Sequence, residues 1–168
     1  MSTVAEPTII QFGPYRVIGL GYRGKNEHGE IPALWDAQAG LPARLAEIAV
    51  PAGANFAVGL CRCIPGATDG SFEYLAALPA AADAPVPPGM MEAFIPAATY
   101  AAFPVESLQV LMDRWGQASA WVAAHPEWQA YCGAAGCDCA RYPSFELYPP
   151  EFTSDGTLFL YLPVRPAK

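Results

Sequence analysis

The chain has 168 residues with nine Lys and Arg against 16 Asp and Glu, a formal charge of −7, 53% hydrophobic residues and only 15% charged ones. A chain of this length buries enough apolar surface to need neither disulfides nor a metal for its core, so residues 1–168 read as one domain. Nine cations scattered without clusters exclude a phosphate-tracking surface, which needs concentrated Lys and Arg, so no direct nucleic-acid partner is expected.

The N-terminal stretch Met1–Pro7 lacks the basic and apolar regions of a signal peptide, and no apolar run nears the ~20 residues of a membrane helix. The expected location is cytoplasmic, with no membrane partner. Eighteen prolines and 15 glycines cut the chain into short pieces, which favours strands and turns around two helices. The first strand candidate is Tyr15–Tyr22. A helix follows with Pro32 at its first position, running through Trp35 to Gln38 before Gly40 and Pro42 disturb it. Strands are expected at Asn55–Cys63, Ser71–Leu78 and Met91–Tyr100, with the Pro79–Gly89 run as an extended connector. The second helix spans about Glu106 to Ala124. Its stripe of Leu108, Leu111, Met112, Trp115, Ala118 and Val122 has helical spacing, and His125-Pro126 ends it. Strands at Ser144–Tyr148 and Thr157–Val164 close the chain.

The two halves, about 11–78 and 90–165, repeat one plan of strand, helix and hairpin. Thr68-Asp69-Gly70 and Ser154-Asp155-Gly156 supply an Asp-Gly hairpin signal at the same place in each. The expected fold is α+β, a duplicated β-α-β-β unit with pseudo-two-fold symmetry, forming an antiparallel sheet with two helices and a central ligand cleft.

Alternation in the last hairpin puts Phe145 and Leu147 on one face and Glu146 and Tyr148 on the other; Leu158, Leu160 and Leu162 alternate with Phe159 and Tyr161. The leucine faces belong under the helix. If the aromatic faces coincide, Glu146 is grouped with Tyr148, Phe159 and Tyr161, although register is not readable across such a loop. A carboxylate in that setting calls for a partner cation, which a ligand could be, or it could act as a general base on water. Equally, Glu146 could be a solvated residue on an open sheet face. The matching position of the first half holds Ala57.

Tyr15–Gly21, Ile31-Pro32-Ala33-Leu34-Trp35, Phe72-Glu73-Tyr74-Leu75-Ala76, Pro87–Met90, Ile95–Tyr100, Phe145-Glu146-Leu147-Tyr148 and Leu160–Val164 together resemble the GyrI-like small-molecule-binding family, the fold of effector-binding domains in AraC- and MerR-class multidrug regulators. The resemblance implies a cleft where a glutamate matching Glu146 meets lipophilic cations. Tyr148 and Tyr161, two and fifteen positions later, line it by the same resemblance. It also brings Trp121, Trp35 and Tyr22 to the cleft wall, with core packing an equal reading for Trp35 and Tyr22, and Tyr74 follows from Tyr161 by the internal repeat. Trp121, about 120° off the helix's apolar stripe, could equally cover the helix edge. No helix-turn-helix precedes Gln11, so a standalone domain is expected, monomeric or homodimeric.

Three functions follow. The first is binding of a lipophilic, cationic or aromatic small molecule at Glu146. The second is enzymatic: some standalone relatives open the cyclopropane rings of genotoxins, which would make Glu146 the base and Tyr148 or Tyr161 its assistant. The third is a protein-binding module, as in a gyrase-inhibiting relative. No cofactor is implied. Cys61, Cys63, Cys132, Cys137 and Cys139 read as reduced thiols, and their C-x-C spacing does not match paired zinc knuckles, so no metal is expected. His28 and His125 read as a solvated loop residue and a helix-end residue.

Overall fold

The structure, a computed structural model, describes residues 4–36, 40–133 and 136–168. Its strands are β1 (Thr8–Phe12), β2 (Tyr15–Gly24), β3 (Ala57–Cys63), β4 (Phe72–Pro79), β5 (Met91–Ile95), β6 (Ala98–Val105), β7 (Trp128–Ala130), β8 (Cys132–Gly133), β9 (Gly136–Cys137), β10 (Ser144–Tyr148) and β11 (Leu158–Pro166); its helices are α1 (Glu30–Trp35), α2 (Leu41–Leu45) and α3 (Leu111–Ala124). The main sheet is antiparallel in the order β1-β6-β11-β10-β3-β4-β2-β5, with β7 added on β11; β8 and β9 form a separate hairpin.

Connectivity bends this sheet. Strands β1 and β2 lie near opposite ends of the order yet are joined by Gly13-Pro14 alone, and β5 and β6 by Pro96-Ala97. Links that short require the two ends to approach, so the sheet curls into a half-barrel. Its concave filling is aromatic: the Phe12 ring lies 5.0 Å from that of Tyr15, 5.5 Å from Phe145 and 5.0 Å from Tyr161. Val58, Leu60, Leu75, Ile95 and Tyr100 pack in the same cluster.

The other face carries the helices. Along β11, Leu158, Leu160 and Leu162 turn toward α3 and pack with Ala118 and Val122, as their alternation requires. The strand order reads alike from both ends, β2-β4-β3 in the first half and β6-β11-β10 in the second, with β3 and β10 meeting in the middle.

Three expectations need correction. Three helices stand where two were expected: the first is divided into α1 and α2, and residues 37–39 between them lie outside the described residues. The run Met91–Tyr100 is two strands, because Pro96, which lacks an N–H, turns the chain from β5 to a distant place in the sheet. The second helix starts later than expected, with a tight 3-10 turn at Leu108–Val110 before α3. Strand β1 was missed altogether.

Gly19 is wedged between neighbours on both sides, paired with Ala77 of β4 and Met91 of β5. A Cβ there would overlap the Ala76 carbonyl and the Ala77 Cα, which are backbone atoms that cannot swing away. Gly19→Ala is therefore expected to cost about 1–3 kcal/mol of stability. Urea unfolding should show a lower midpoint at unchanged slope; an unshifted midpoint would mean that β2 and β4 can part at no cost.

Candidate functional site

The middle of the sheet, where β3 meets β10, is the floor of a cleft. Glu146 pairs directly with Gly59, and Tyr148 with Ala57, so these side-chain positions share the helix-bearing face. Tyr74 reaches the same spot from β4, where it pairs with Cys61. Glycine at 59 is a requirement of space: a Cβ there would overlap both the Tyr74 hydroxyl and a Glu146 carboxylate oxygen.

Glu146 is 6% exposed. Its Oε2 accepts hydrogen bonds from the Tyr148 hydroxyl at 2.5 Å and the Tyr74 hydroxyl at 3.0 Å, and Oε1 accepts one from Trp115 Nε1 at 3.4 Å. Trp35 Nε1 donates to the Tyr74 hydroxyl at 2.6 Å, completing a chain from α1 to the carboxylate. Every one of these donors is neutral. The ion pairs among the described residues are formed elsewhere: Arg62 borders the cleft but contacts Glu73, which Arg23 also reaches at 2.6 Å.

The electrostatics follow from that geometry. Burial raises the Glu146 carboxyl above its ordinary range, and the hydrogen bonds from Tyr148, Tyr74 and Trp115 pull it partly back. Burial first, and the Glu146 charge second, push Tyr74 and Tyr148 up, so both remain neutral donors. Cys61, on the same face, is raised in the same way by burial and then by Glu146. The site is a desolvated carboxylate held by neutral donors.

Above this floor the cleft has a volume of about 1470 Å³. Trp35 of α1 and Trp115, Leu111 and Met112 of α3 border it, together with Phe56, Phe72 and Phe152. The Tyr148 ring lies 5.1 Å from Trp35 and 4.9 Å from Phe152. Met112 is 75% exposed and Leu108 39%, so the apolar stripe of the helix ends in an apolar lip at the cleft mouth. Such a space suits a ligand with several rings. Among the described residues no group of three or more His, Cys, Asp or Glu could hold a metal.

Of the residues singled out in the sequence, Glu146, Tyr148, Tyr74 and Trp35 come together here. Tyr161 and Phe159 do not. The register pairs Phe145 with Tyr161 and Glu146 with Leu160, so both aromatics point to the concave face, where the Tyr161 ring stacks on Phe145 at 4.8 Å. Grouping them with Glu146 is therefore corrected by one residue of register. Leu147 likewise joins that face rather than the helices. Trp121 lies away from the cleft: it packs against Phe103, stacks on His125 at 3.7 Å and donates to Glu6. Tyr22 packs behind Tyr74, its hydroxyl accepting the Asn26 N–H, and does not border the cavity.

Trp115, Gly59 and Cys61 were missed as site residues. Trp115 was visible as part of the helix stripe, and Gly59 as a glycine inside a strand, a mark of close approach. The expectation of reduced thiols also fails at one pair, for Cys63 and Cys139 are disulfide-bonded with Cα atoms 5.8 Å apart. Their separation of 76 residues gave no spacing signal. Cys61 is free.

The comparisons agree with a ligand-binding fold. A family model described as Cass2, integron-associated effector binding protein, matches residues 8–164. The chain is similar to SAV2435, solved bound to tetraphenylphosphonium, with a TM-score of 0.69 at 16% identity over 96% of this chain and 94% of that one. It is also similar to a transcription regulation protein of Staphylococcus aureus MU50, with a TM-score of 0.64, 17% identity and coverage of 95% and 98%. An integron cassette protein from the mobile metagenome of Vibrio cholerae shares 18% identity, with a TM-score of 0.59 and coverage of 97% and 98%. No match is found among curated protein sequences.

Proposed function

The chain belongs to the Cass2 family of integron-associated effector-binding proteins, and we propose that its effector is a lipophilic, multi-ring cation held over Glu146. The observation that carries this reading is a carboxylate 6% exposed, hydrogen-bonded among the described residues only to neutral donors, at the base of an aromatic-walled cleft. A buried anion without a countercharge is costly, and a cation that enters beside it offsets that cost. Trp35, Trp115 and Tyr148 can each add a cation–π contact worth about 0.5–2 kcal/mol, and apolar rings gain about 25 cal/mol for each Å² they bury. SAV2435, whose fold the chain shares, was solved with a cation of this chemistry.

Calorimetric titration with tetraphenylphosphonium and with neutral triphenylphosphine oxide tests the reading, on wild type and Glu146→Gln. Wild type is expected to bind the cation saturably and the neutral compound less tightly. The glutamine variant should lose about tenfold or more in affinity for the cation, about 1.4 kcal/mol, with no loss of stability. Equal affinity in the two proteins would remove Glu146 as the anchor. Mass spectrometry of cyclopropane-bearing ligands after incubation checks the enzymatic alternative, in which Glu146 activates water beside the Tyr148 hydroxyl; a product heavier by one water would establish it.

A further inference from the structure

The Cys63–Cys139 bond stands at one end of the same cleft, and both residues border it. Cys63 is the last residue of β3, two positions beyond Cys61 on the face that carries Glu146. Cys139 belongs to the segment that leads from β9 into β10. The bond therefore ties the first half of the chain to the second across the join that forms the cleft floor. Cys63 holds that segment a second time, its backbone N–H donating to Cys139 Sγ at 3.0 Å. The segment's own hydrogen bonds are local: Arg141 and Tyr142 N–H groups return to the Asp138 carbonyl, and Asp138 N–H reaches Tyr131. Tyr142 stacks on Tyr131 at 4.0 Å, again within the same excursion of the chain.

We propose that Cys63–Cys139 is a redox latch on the cleft wall. Oxidised, it pins residues 138–143 against the end of β3 and closes that end of the cleft. A dithiol reductant cleaves the bond: its two thiols become a disulfide, and Cys63 and Cys139 each leave as a thiol carrying one of its protons. Residues 138–143 then lose their covalent tie to β3, keeping among the described residues their local hydrogen bonds, the Tyr131–Tyr142 stack and the ladder that begins at Ser144, and the cleft opens beside Cys61 and Glu146. Ligand entry and release become faster in the reduced protein.

Cys61 is a built-in reporter of that opening. It is the free thiol at the cleft floor, and burial holds it in its unreactive protonated form. Trypsin cleaves after Arg62, which puts Cys61 on a different peptide from the other four cysteines. The experiment first alkylates the unreduced, denatured protein and reads Cys63 on its own tryptic peptide, between Arg62 and Arg114, where it is expected to be blocked; an alkylated Cys63 would overturn the latch at once. It then follows iodoacetamide labelling of Cys61 in native wild type, in Cys63→Ser/Cys139→Ser, and in wild type pre-treated with a dithiol. The reduced and double-variant proteins are expected to label Cys61 about tenfold faster than the oxidised one. Rates within about twofold of each other would overturn the proposal, and the dithiol arm decides it if the double variant does not fold. The readout is independent of the ligand, so faster labelling without any binding of tetraphenylphosphonium would keep the latch and discard the cation reading.

Discussion

Gly59→Ala is expected to weaken cation binding about a hundredfold while the sheet still forms. Gly59 has ordinary strand geometry with neighbours on both sides, Glu146 on β10 and Ala76 on β4, so an alanine is acceptable to the backbone. Its methyl group is not acceptable to the site. The new Cβ would overlap the Tyr74 hydroxyl and Glu146 Oε2, and neither is free to yield. Tyr74 is 1% exposed and its oxygen is held by Trp35, while Glu146 is held by three donors. Relief requires turning Tyr74 or the carboxylate out of place, which breaks the chain from Trp35 to Glu146. Overpacking of this kind costs about 1–3 kcal/mol of stability, and affinity for tetraphenylphosphonium should drop about a hundredfold, or about 2.8 kcal/mol. Adding Tyr74→Phe, which removes the hydroxyl that the methyl meets, should return part of the stability; the coupling shows in a double-mutant cycle. Wild-type affinity in Gly59→Ala would show that the carboxylate plays no part.

Cation affinity should also depend on pH in a way that a solvated carboxylate would not show. Burial raises the Glu146 carboxyl above 4.5. A cation favours the ionised form, so affinity is constant above the folded-state pKa and falls by about tenfold per pH unit below it. The decline thus begins at a higher pH than 4.5. Stability has the opposite sign. Below 4.5 the group is protonated in both folded and unfolded chains and contributes no penalty; as pH rises through the raised pKa, ionisation in a buried place increasingly costs stability. Glu146→Gln removes that penalty, so its advantage over wild type should appear only as pH rises. Glu73 and Glu106 do not confuse this window. Burial raises Glu73, but Arg23 and Arg62 outweigh it, and Arg114 lowers Glu106, so both titrate below 4.5. Titrations from about pH 4 to 8 on wild type and Glu146→Gln read both effects, since a decline that sets in above 4.5 for wild type and is absent from the variant is assigned to this carboxylate. A flat wild-type profile would sink the prediction.

Much of this fold was legible because local rules act locally. The Asp-Gly hairpins are at β3–β4 and β10–β11, with Gly70 at φ 85° and Asp69 accepting the Ser71 N–H at 3.0 Å. Alternation assigned Glu146 and Tyr148 to one face of β10. Alternation is silent about which face of the next strand lies beside it, and that single unknown misplaced Phe159 and Tyr161. Strand β1 escaped because five residues before Gly-Pro carry little pattern, and its partner β6 begins 86 residues after β1 ends. Trp115 was legible only as a member of the apolar stripe. Periodicity shows that a helix face is covered, not whether protein or a ligand covers it, and the N-terminal part of α3 overhangs the β3–β10 join. The disulfide joins two segments that only the finished fold brings together.

The register at the join has a further consequence, for ligand orientation. In the ladder, Val58 pairs with Leu147, Glu146 with Gly59, and Tyr148 with Ala57. On the floor itself the two strands carry unlike equipment: β10 brings the acid and the Tyr148 phenol, and β3 a methyl and a bare backbone, while Tyr74 reaches the acid from β4. A floor whose acid stands on one strand alone gives the cleft a polarity. A guest with its charge at one end can be seated in only one sense, head toward β10 and tail over β3, whereas a guest with its charge at the centre has no such preference.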